Sequence, residues 1–478
     1  MSTMSGRLAA VLFATVALTG AYFYQGGGWN QNSRLDLTRA MVEGRTLRID
    51  ALHGNTGDKA RVGGSYYCDK APGTSWLALP WYAAARAVGR GRVAARPLLV
   101  LCSYAATVGA VVLPSAASAV AVACLAGWMG VSLGWQVALA LAYALGTLAF
   151  PYATLFYGHQ PAAALLVGAF ALLAGSRRGA FPAGRALPLA GLLLGSAVAV
   201  EYPALLAVGV LLAYAVWLQP RPGLLLRLGA GLAAPLVLLA AYHTAAFGSP
   251  FALPYDFSTQ PHRHLGFFMG LGAPRPEALW GILFSRYRGL FFSAPWLLLA
   301  LPGGFLLLRR RDTRPEGIVC ACVGLLLLWL NASLVDWEGG SALGPRYLVP
   351  ALPFLAVCAA GVLRPMRAAS FAGGVVVAAI AVSVSFMLAG TAVQPEVSKE
   401  ISRPWSEVVW PQLAAGHLAA NRASFDDYLP GVTRRAWNLG MRAGLPGRAS
   451  LLPLLVLWAL AGTAAASLVR RARHGAEG

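Results

Sequence analysis

Stretches of about twenty apolar residues recur along this chain, and that is the length an α-helix needs to cross the hydrocarbon core of a bilayer. Lipid offers the backbone no hydrogen-bond partners, so a crossing segment must satisfy its own N–H and C=O groups, as a helix does. Segmentation by hydropathy gives about twelve spans, near 8–24, 98–127, 133–150, 159–175, 186–200, 203–218, 226–246, 289–308, 316–334, 347–363, 369–391 and 450–469. Of all residues 58% are hydrophobic and only 12% are charged, and mean hydropathy is +0.61. The expected fold class is an all-α polytopic membrane protein, with residues 1–478 forming one transmembrane domain.

A net charge of +20 invites a nucleic-acid partner, but the distribution argues for topology instead. With the N-terminus inside, alternate short segments hold Arg7, Arg177, Arg178, Arg185, Arg221, Arg309–Arg311, Arg314, Arg364, Arg367, Arg470, Arg471 and Arg473. Only Asp312, Glu316 and Glu477 among the 18 acids share that side. By the positive-inside rule these segments face the cytoplasm, as do both termini, and the acidic loops face outward. Arg86, Arg90, Arg92 and Arg96 disagree, because they precede the second span on the outer side. A surface-lying helix at 74–90 accommodates them, whereas a short crossing there would invert every later loop.

The first span resembles a signal peptide in having Arg7 ahead of an apolar run, but Tyr22-Phe23-Tyr24 forms an interfacial aromatic belt that suits a retained helix. Five of the six cysteines fall within spans and Cys68 lies alone in an outer loop, so no disulfide framework is expected. His262-Arg263-His264 offers two imidazoles without a placed third ligand, and no metal site is expected.

The inner turns are short and four outer segments are large: 25–97, 247–288, the turn Asp336–Arg346, and 392–448 with Trp405, Trp410, Asp426 and Asp427. The chemistry is expected on that face. The first loop gathers Asp36, Glu43, Asp50, Asp58 and Asp69 beside Lys59 and Lys70, charges that must lie in water or line a cavity. Leu35, Leu37, Ala40 and Met41 have near-helical spacing, Gly54–Gly57 is a turn presenting Asp58, and Gly63-Gly64-Ser65 is a second turn. Pro72-Gly73 then breaks the chain before Trp76–Tyr82, a stretch suited to the headgroup region.

Tyr66-Tyr67-Cys68-Asp69-Lys70-Ala71-Pro72-Gly73, following an acidic loop after the first helix, resembles the GT-C superfamily of integral membrane glycosyltransferases. The similarity is nearest to the polyprenyl-phosphate-sugar-dependent group that includes protein O-mannosyltransferases and aminoarabinose transferases. Arg39-Ala40-Met41-Val42-Glu43-Gly44 resembles the helix after their catalytic acid, and Gly344-Pro345-Arg346-Tyr347-Leu348-Val349-Pro350 their arginine-bearing helix start near the carrier phosphate. Those families carry an acidic pair where this chain has Gln31-Asn32. The resemblance implies a GT-C-like fold of about twelve helices in a bacterial inner membrane. It also implies transfer of a sugar from a polyprenyl-phosphate carrier to a glycan, lipid or protein acceptor on the exoplasmic face.

Such a transfer benefits from a carboxylate base and from fixed cations at the departing phosphate. Asp58, in a Gly-rich turn beside Lys59, is the first expected base, followed by Asp50 and Asp36. Lys70, Arg288 and Arg346 are expected at the carrier phosphate, with Arg286 a neighbouring cation. Glu201, Asp336, Glu338 and Tyr67 are expected to contact substrate, while His159 is expected to serve its helix start. The donor lipid is a substrate, no nucleotide is implied, and a divalent metal stays open. A lipid or polysaccharide transporter, an O-antigen polymerase or ligase, and a non-catalytic scaffold are the alternatives. Spans nearly without charge favour the enzyme over a transporter.

Overall fold

Every one of the twelve apolar stretches folds as helix in a computed structural model that describes residues 4–219, 221–261, 270–420 and 436–474. His262, Arg263, His264, Asp426, Asp427 and Glu477 lie outside the described residues. The helices of the first half are α1 (Gly6–Ala21), α2 (Trp29–Arg39), α3 (Gly73–Gly89), α4 (Ala95–Trp128), α5 (Leu133–Leu145), α6 (His159–Arg177) and α7 (Ala183–Val200). The second half adds α8 (Ala204–Leu218), α9 (Pro222–Phe247), α10 (Pro295–Arg309), α11 (Arg314–Ser333), α12 (Arg346–Leu363), α13 (Phe371–Val393) and α14 (Gly447–Ala472). Eight of these, α4, α6, α7, α9 and α11–α14, are long and apolar enough to cross a membrane. The apolar helices α1, α5, α8 and α10 are shorter.

The protein is a multi-pass membrane protein whose helices differ in burial. α6 and α12 are mostly buried, with Phe170 stacked on Phe354 at a centroid distance of 5.6 Å, whereas few residues in the apolar cores of α9, α13 and α14 are buried. Between α7 and α9 the backbones touch. A Cβ on Gly191 would collide with the Leu228 carbonyl, and one on Gly231 with the Pro188 carbonyl. Where water provides no drive for helix association, small residues allow this close van der Waals packing.

At one end of the bundle, arginines clasp Glu316 and Asp312. Arg177 lies 2.8 Å from Glu316, which is fully buried, and Arg364 lies 3.0 Å from Asp312. The first outer loop lies at the other end. Helix α2 runs on into a π-helical turn at Ala40–Gly44, and the 74–90 segment is the helix α3, which is not among those apolar enough to cross.

The fold is helical as expected, with two short antiparallel strand pairs beside the helices. Strands β2 (Lys59–Val62) and β3 (Ser65–Cys68) form an antiparallel hairpin, and β1 (Phe23–Tyr24) pairs with β4 (Trp437–Asn438). The hairpin exists because Gly63 and Gly64 both hold positive φ, +55° and +86°, as a two-residue turn matched to strand twist requires.

Candidate functional site

Helix α2 has no apolar stripe, yet Asn30 through Thr38 are all buried. A polar helix stays buried only if each side chain finds a partner, and those partners build the site. The Gln31 amide donates to the Gln25 carbonyl (3.0 Å) and accepts from the Phe156 amide (2.8 Å). Ser33 Oγ donates to Cys68 Sγ at 3.2 Å, and burial pushes the Cys68 thiol up to about 11. The Arg34 guanidinium donates to Asn30 Oδ1 and the Ala71 carbonyl, both at 3.1 Å, and to Glu201 Oε1 at 2.6 Å.

Around Arg34 lies a cavity of about 500 Å³ with two unlike ends. Its polar end is lined by Arg34, Lys70, Arg346, Glu201 and His159. Its apolar end runs between α8 and α11 along Leu205, Leu206, Leu327, Trp329, Leu330 and Leu334. Leu205 and Trp329 are also more than half exposed on the outer surface of those helices, at 61% and 51%. The cavity therefore reaches from a cationic pocket to the side of the bundle that lipid covers.

The three cations differ in their surroundings. Lys70 is fully buried between Asp58 Oδ2 (3.1 Å) and Asp69 Oδ1 (3.0 Å). Arg34 is matched by Glu201. Arg346 makes no ion pair with any described residue; its Nη1 donates to Tyr157 Oη at 3.3 Å, and the rings of Tyr157 and Tyr347 flank it at 5.4 and 5.3 Å. Its Nε is buried and has no hydrogen-bond partner among the described residues. Such an arginine is placed to take an anion. Tyr157 in turn donates to Glu396 Oε1 at 2.6 Å, and burial, then the Glu396 charge, raises its hydroxyl well above the ordinary tyrosine value.

His159, at the first position of α6, lines the same pocket. Its Nδ1 lies 3.5 Å from Glu201 Oε1, and its Nε2 has no hydrogen-bond partner among the described residues. A carboxylate beside one ring nitrogen fixes the tautomer that leaves the other as an acceptor.

The remaining expected residues separate into two groups. Lys70, Arg346 and Glu201 converge on the cavity, and Asp58 reaches it through Lys70. Asp336 and Glu338 sit on the turn against Arg346, where a Cβ on Gly339 would come 3.1 Å from Arg346 Cγ. Asp50, Tyr67, Asp36 and Arg288 stand apart from it. Asp50 Oδ1 accepts from the Tyr66 amide (2.6 Å), and Tyr67 packs on Phe247 at 5.6 Å. Asp36 is sealed beneath α2, with Asn55 Nδ2 at 3.3 Å and Arg39 Nη1 at 3.6 Å, and burial pushes its carboxyl up to about 8. The fully buried Arg288 donates to the carbonyls of Ala342, Gly340 and Val397, and its Nε has no hydrogen-bond partner among the described residues.

Sequence reading did not single out Arg34 or Glu396 and gave His159 only its helix start; the structure puts Arg34 and His159 in the cavity lining and Glu396 against Tyr157. The signal for Arg34 was present: a helix of Asn30-Gln31-Asn32-Ser33-Arg34 too polar for lipid must be held by polar partners from elsewhere in the chain. Among the described residues no group of three or more His, Cys, Asp or Glu is arranged to hold a metal ion.

No family model matches the chain, and no curated protein matches it. Two solved structures are similar to it in overall arrangement. One is the crystal structure of ArnT from Cupriavidus metallidurans bound to undecaprenyl phosphate, at 16% identity and a TM-score of 0.48, covering 98% of this chain and 78% of that one. The other is ArnT from the same organism in the apo state, at 16% identity and a TM-score of 0.49, covering 97% and 77%.

Proposed function

We propose that this protein is a membrane glycosyltransferase that moves a sugar from a polyprenyl-phosphate carrier to an acceptor hydroxyl on the outer face of a bacterial inner membrane. The observation that carries the reading is the two-ended cavity, which joins the Arg346 guanidinium to an apolar slot opening on the lipid side. A phosphate on a long apolar chain is the ligand that fills both ends. Undecaprenyl phosphate, named with the ArnT crystal structure, belongs to that class, but the proposal stands on the cavity. Arginine-rich turns at the opposite end of the bundle support cytoplasmic termini.

In this mechanism the acceptor oxygen attacks the anomeric carbon while the bond from that carbon to the phosphate oxygen breaks, and the phosphate departs with the electron pair. Arg346 and Lys70 stabilise the charge that develops there, with Arg34 holding the Glu201 side of the pocket. The acceptor proton passes to His159 Nε2, which Glu201 orients from the other ring nitrogen. Asp58, together with Asp69, positions Lys70 as its counter-ion, and Asp336 and Glu338 border the sugar-side approach to Arg346. Glycan, lipid and protein acceptors all offer the required hydroxyl.

The test is transfer of radiolabelled sugar from polyprenyl-phosphate donors by the purified protein in liposomes. Arg346→Gln is expected to lower transfer about 100-fold, in line with the loss of one charge-stabilising donor. His159→Gln is expected to lower kcat by at least about 100-fold, and Asp58→Asn to act mainly on donor binding. Full transfer by Arg346→Gln at equal protein level would refute the site.

A further inference from the structure

The four outer arginines that violate the positive-inside pattern have a place in the fold that the donor cavity does not explain. Helices α3 and α4 pack as an antiparallel hairpin, and Arg90 and Arg92 are exposed at its turn. Beside that turn is a second cavity of about 410 Å³, lined by Arg39, Glu43, Tyr82, Arg86 and Arg96 with apolar walls from Leu98 and Leu99. It shares no lining residue with the first.

Helix α2 separates the two cavities. Arg34 faces one, and Arg39, five residues on, faces the other.

The charge in the second cavity is unbalanced. Its one carboxylate, Glu43, presents a single oxygen to Tyr82 Oη (2.5 Å), Arg86 Nη1 (3.0 Å) and Arg39 Nε (3.9 Å). Arg96 makes no ion pair with any described residue, and Arg39 Nε is buried without a hydrogen-bond partner among them. Asp36 Oδ1 meets Arg39 Nη1 from behind the cavity at 3.6 Å, so Arg86 shares Glu43 and Arg96 is left to meet a second anion. The outer surface of the hairpin is apolar, with Trp81 43%, Val88 62% and Leu101 38% exposed, as suits a segment lying among lipid headgroups. An anion arriving there comes with acyl chains attached.

We propose that this second cavity binds the phosphate of an anionic phospholipid headgroup, held by Arg39, Arg86 and Arg96, and that the turn between α3 and α4 is thereby anchored in the headgroup region. The binding does not depend on the transferase reading.

Native mass spectrometry of the detergent-purified full chain, titrated with dioleoyl phosphatidylglycerol, tests this. Each arginine near an anionic surface contributes a factor of about five, so R86Q/R96Q is expected to bind that lipid roughly 30-fold more weakly than wild type. Dioleoyl phosphatidylcholine should distinguish the two proteins little. Because Arg86 also contacts Glu43, the single variant Arg96→Gln gives an independent reading, with a loss of about fivefold. Glu43→Gln should bind more tightly, since it removes the competing anion. Equal retention of phosphatidylglycerol by wild type and Arg96→Gln would overturn the proposal. Displacement of the lipid by millimolar inorganic phosphate would reassign the cavity to a soluble anion and overturn it as well.

Discussion

Arg34 Nη2 meets Glu201 Oε1 at 2.6 Å, with side-chain exposures of only 1% and 9%, and so ties the first outer loop to the turn between α7 and α8. A buried pair of this kind contributes little net stability over apolar replacements, because removing both charges from water costs about as much as their attraction returns. Breaking it from one side leaves a buried charge uncompensated. Arg34→Met or Glu201→Met alone should therefore cost about 3–5 kcal/mol, while the double variant should recover most of that. Thermal unfolding of the four proteins in one detergent closes the cycle. Additive losses would mean that the two residues act independently.

Two buried arginines at the starts of apolar stretches should behave in opposite ways. Arg288 serves three backbone carbonyls, so Arg288→Gln should lower folded yield and cost several kcal/mol, at about 1–3 kcal/mol for each acceptor left unsatisfied. Arg346 borders the cavity and makes no ion pair with a described residue. Arg346→Gln should keep its melting temperature and lose affinity for a polyprenyl phosphate. Melting curves and lipid binding on the two variants decide between these roles, and the reverse pattern would exchange them.

Asp36 makes stability depend on pH in an unusual direction. Burial raises its carboxyl to about 8, against an unfolded value near 3.8. Below pH 4 both states hold the proton, so the group is neutral to stability. Between about 4 and 8 the unfolded chain releases it and the folded protein keeps it, so this residue's contribution falls as pH rises and levels off above 8. Asp36→Asn removes that slope. The variant should melt higher than wild type at pH 8 by the equivalent of a few kcal/mol, with the difference shrinking toward pH 4. A difference independent of pH would show that Asp36 ionises in the fold at its ordinary value.

How much of this was readable from sequence divides along the range of the forces involved. The twelve apolar stretches appear as helices because bilayer thickness and backbone satisfaction act within one segment, with no need to know its neighbours. Lys70, Glu201 and Arg346 were reachable because charged residues at the ends of apolar spans stand out. The β2–β3 hairpin was hidden behind Gly63-Gly64, read as a turn without its flanking strands. The carbonyl contacts of Arg288 could not be read, because a helix-end arginine looks the same in sequence whether it meets phosphate or backbone. Arg34 and Glu396 were missed because their partners lie 167 and 239 residues away, at Glu201 and Tyr157, beyond the reach of any local pattern.

The same 167-residue separation has a consequence in time. Chains are synthesised at about 5–20 residues per second, so Arg34 leaves the ribosome roughly ten to thirty seconds before Glu201. For that interval α2 has neither an apolar stripe to hold it in lipid nor a counter-charge to hold it in protein, and it must wait in water at the membrane surface. A ribosome-bound chain stopped before Glu201 should accordingly leave this helix open to protease. The segment that divides the two cavities is thus among the first parts of the protein to be made, yet it takes its seat only after 167 further residues have followed Arg34.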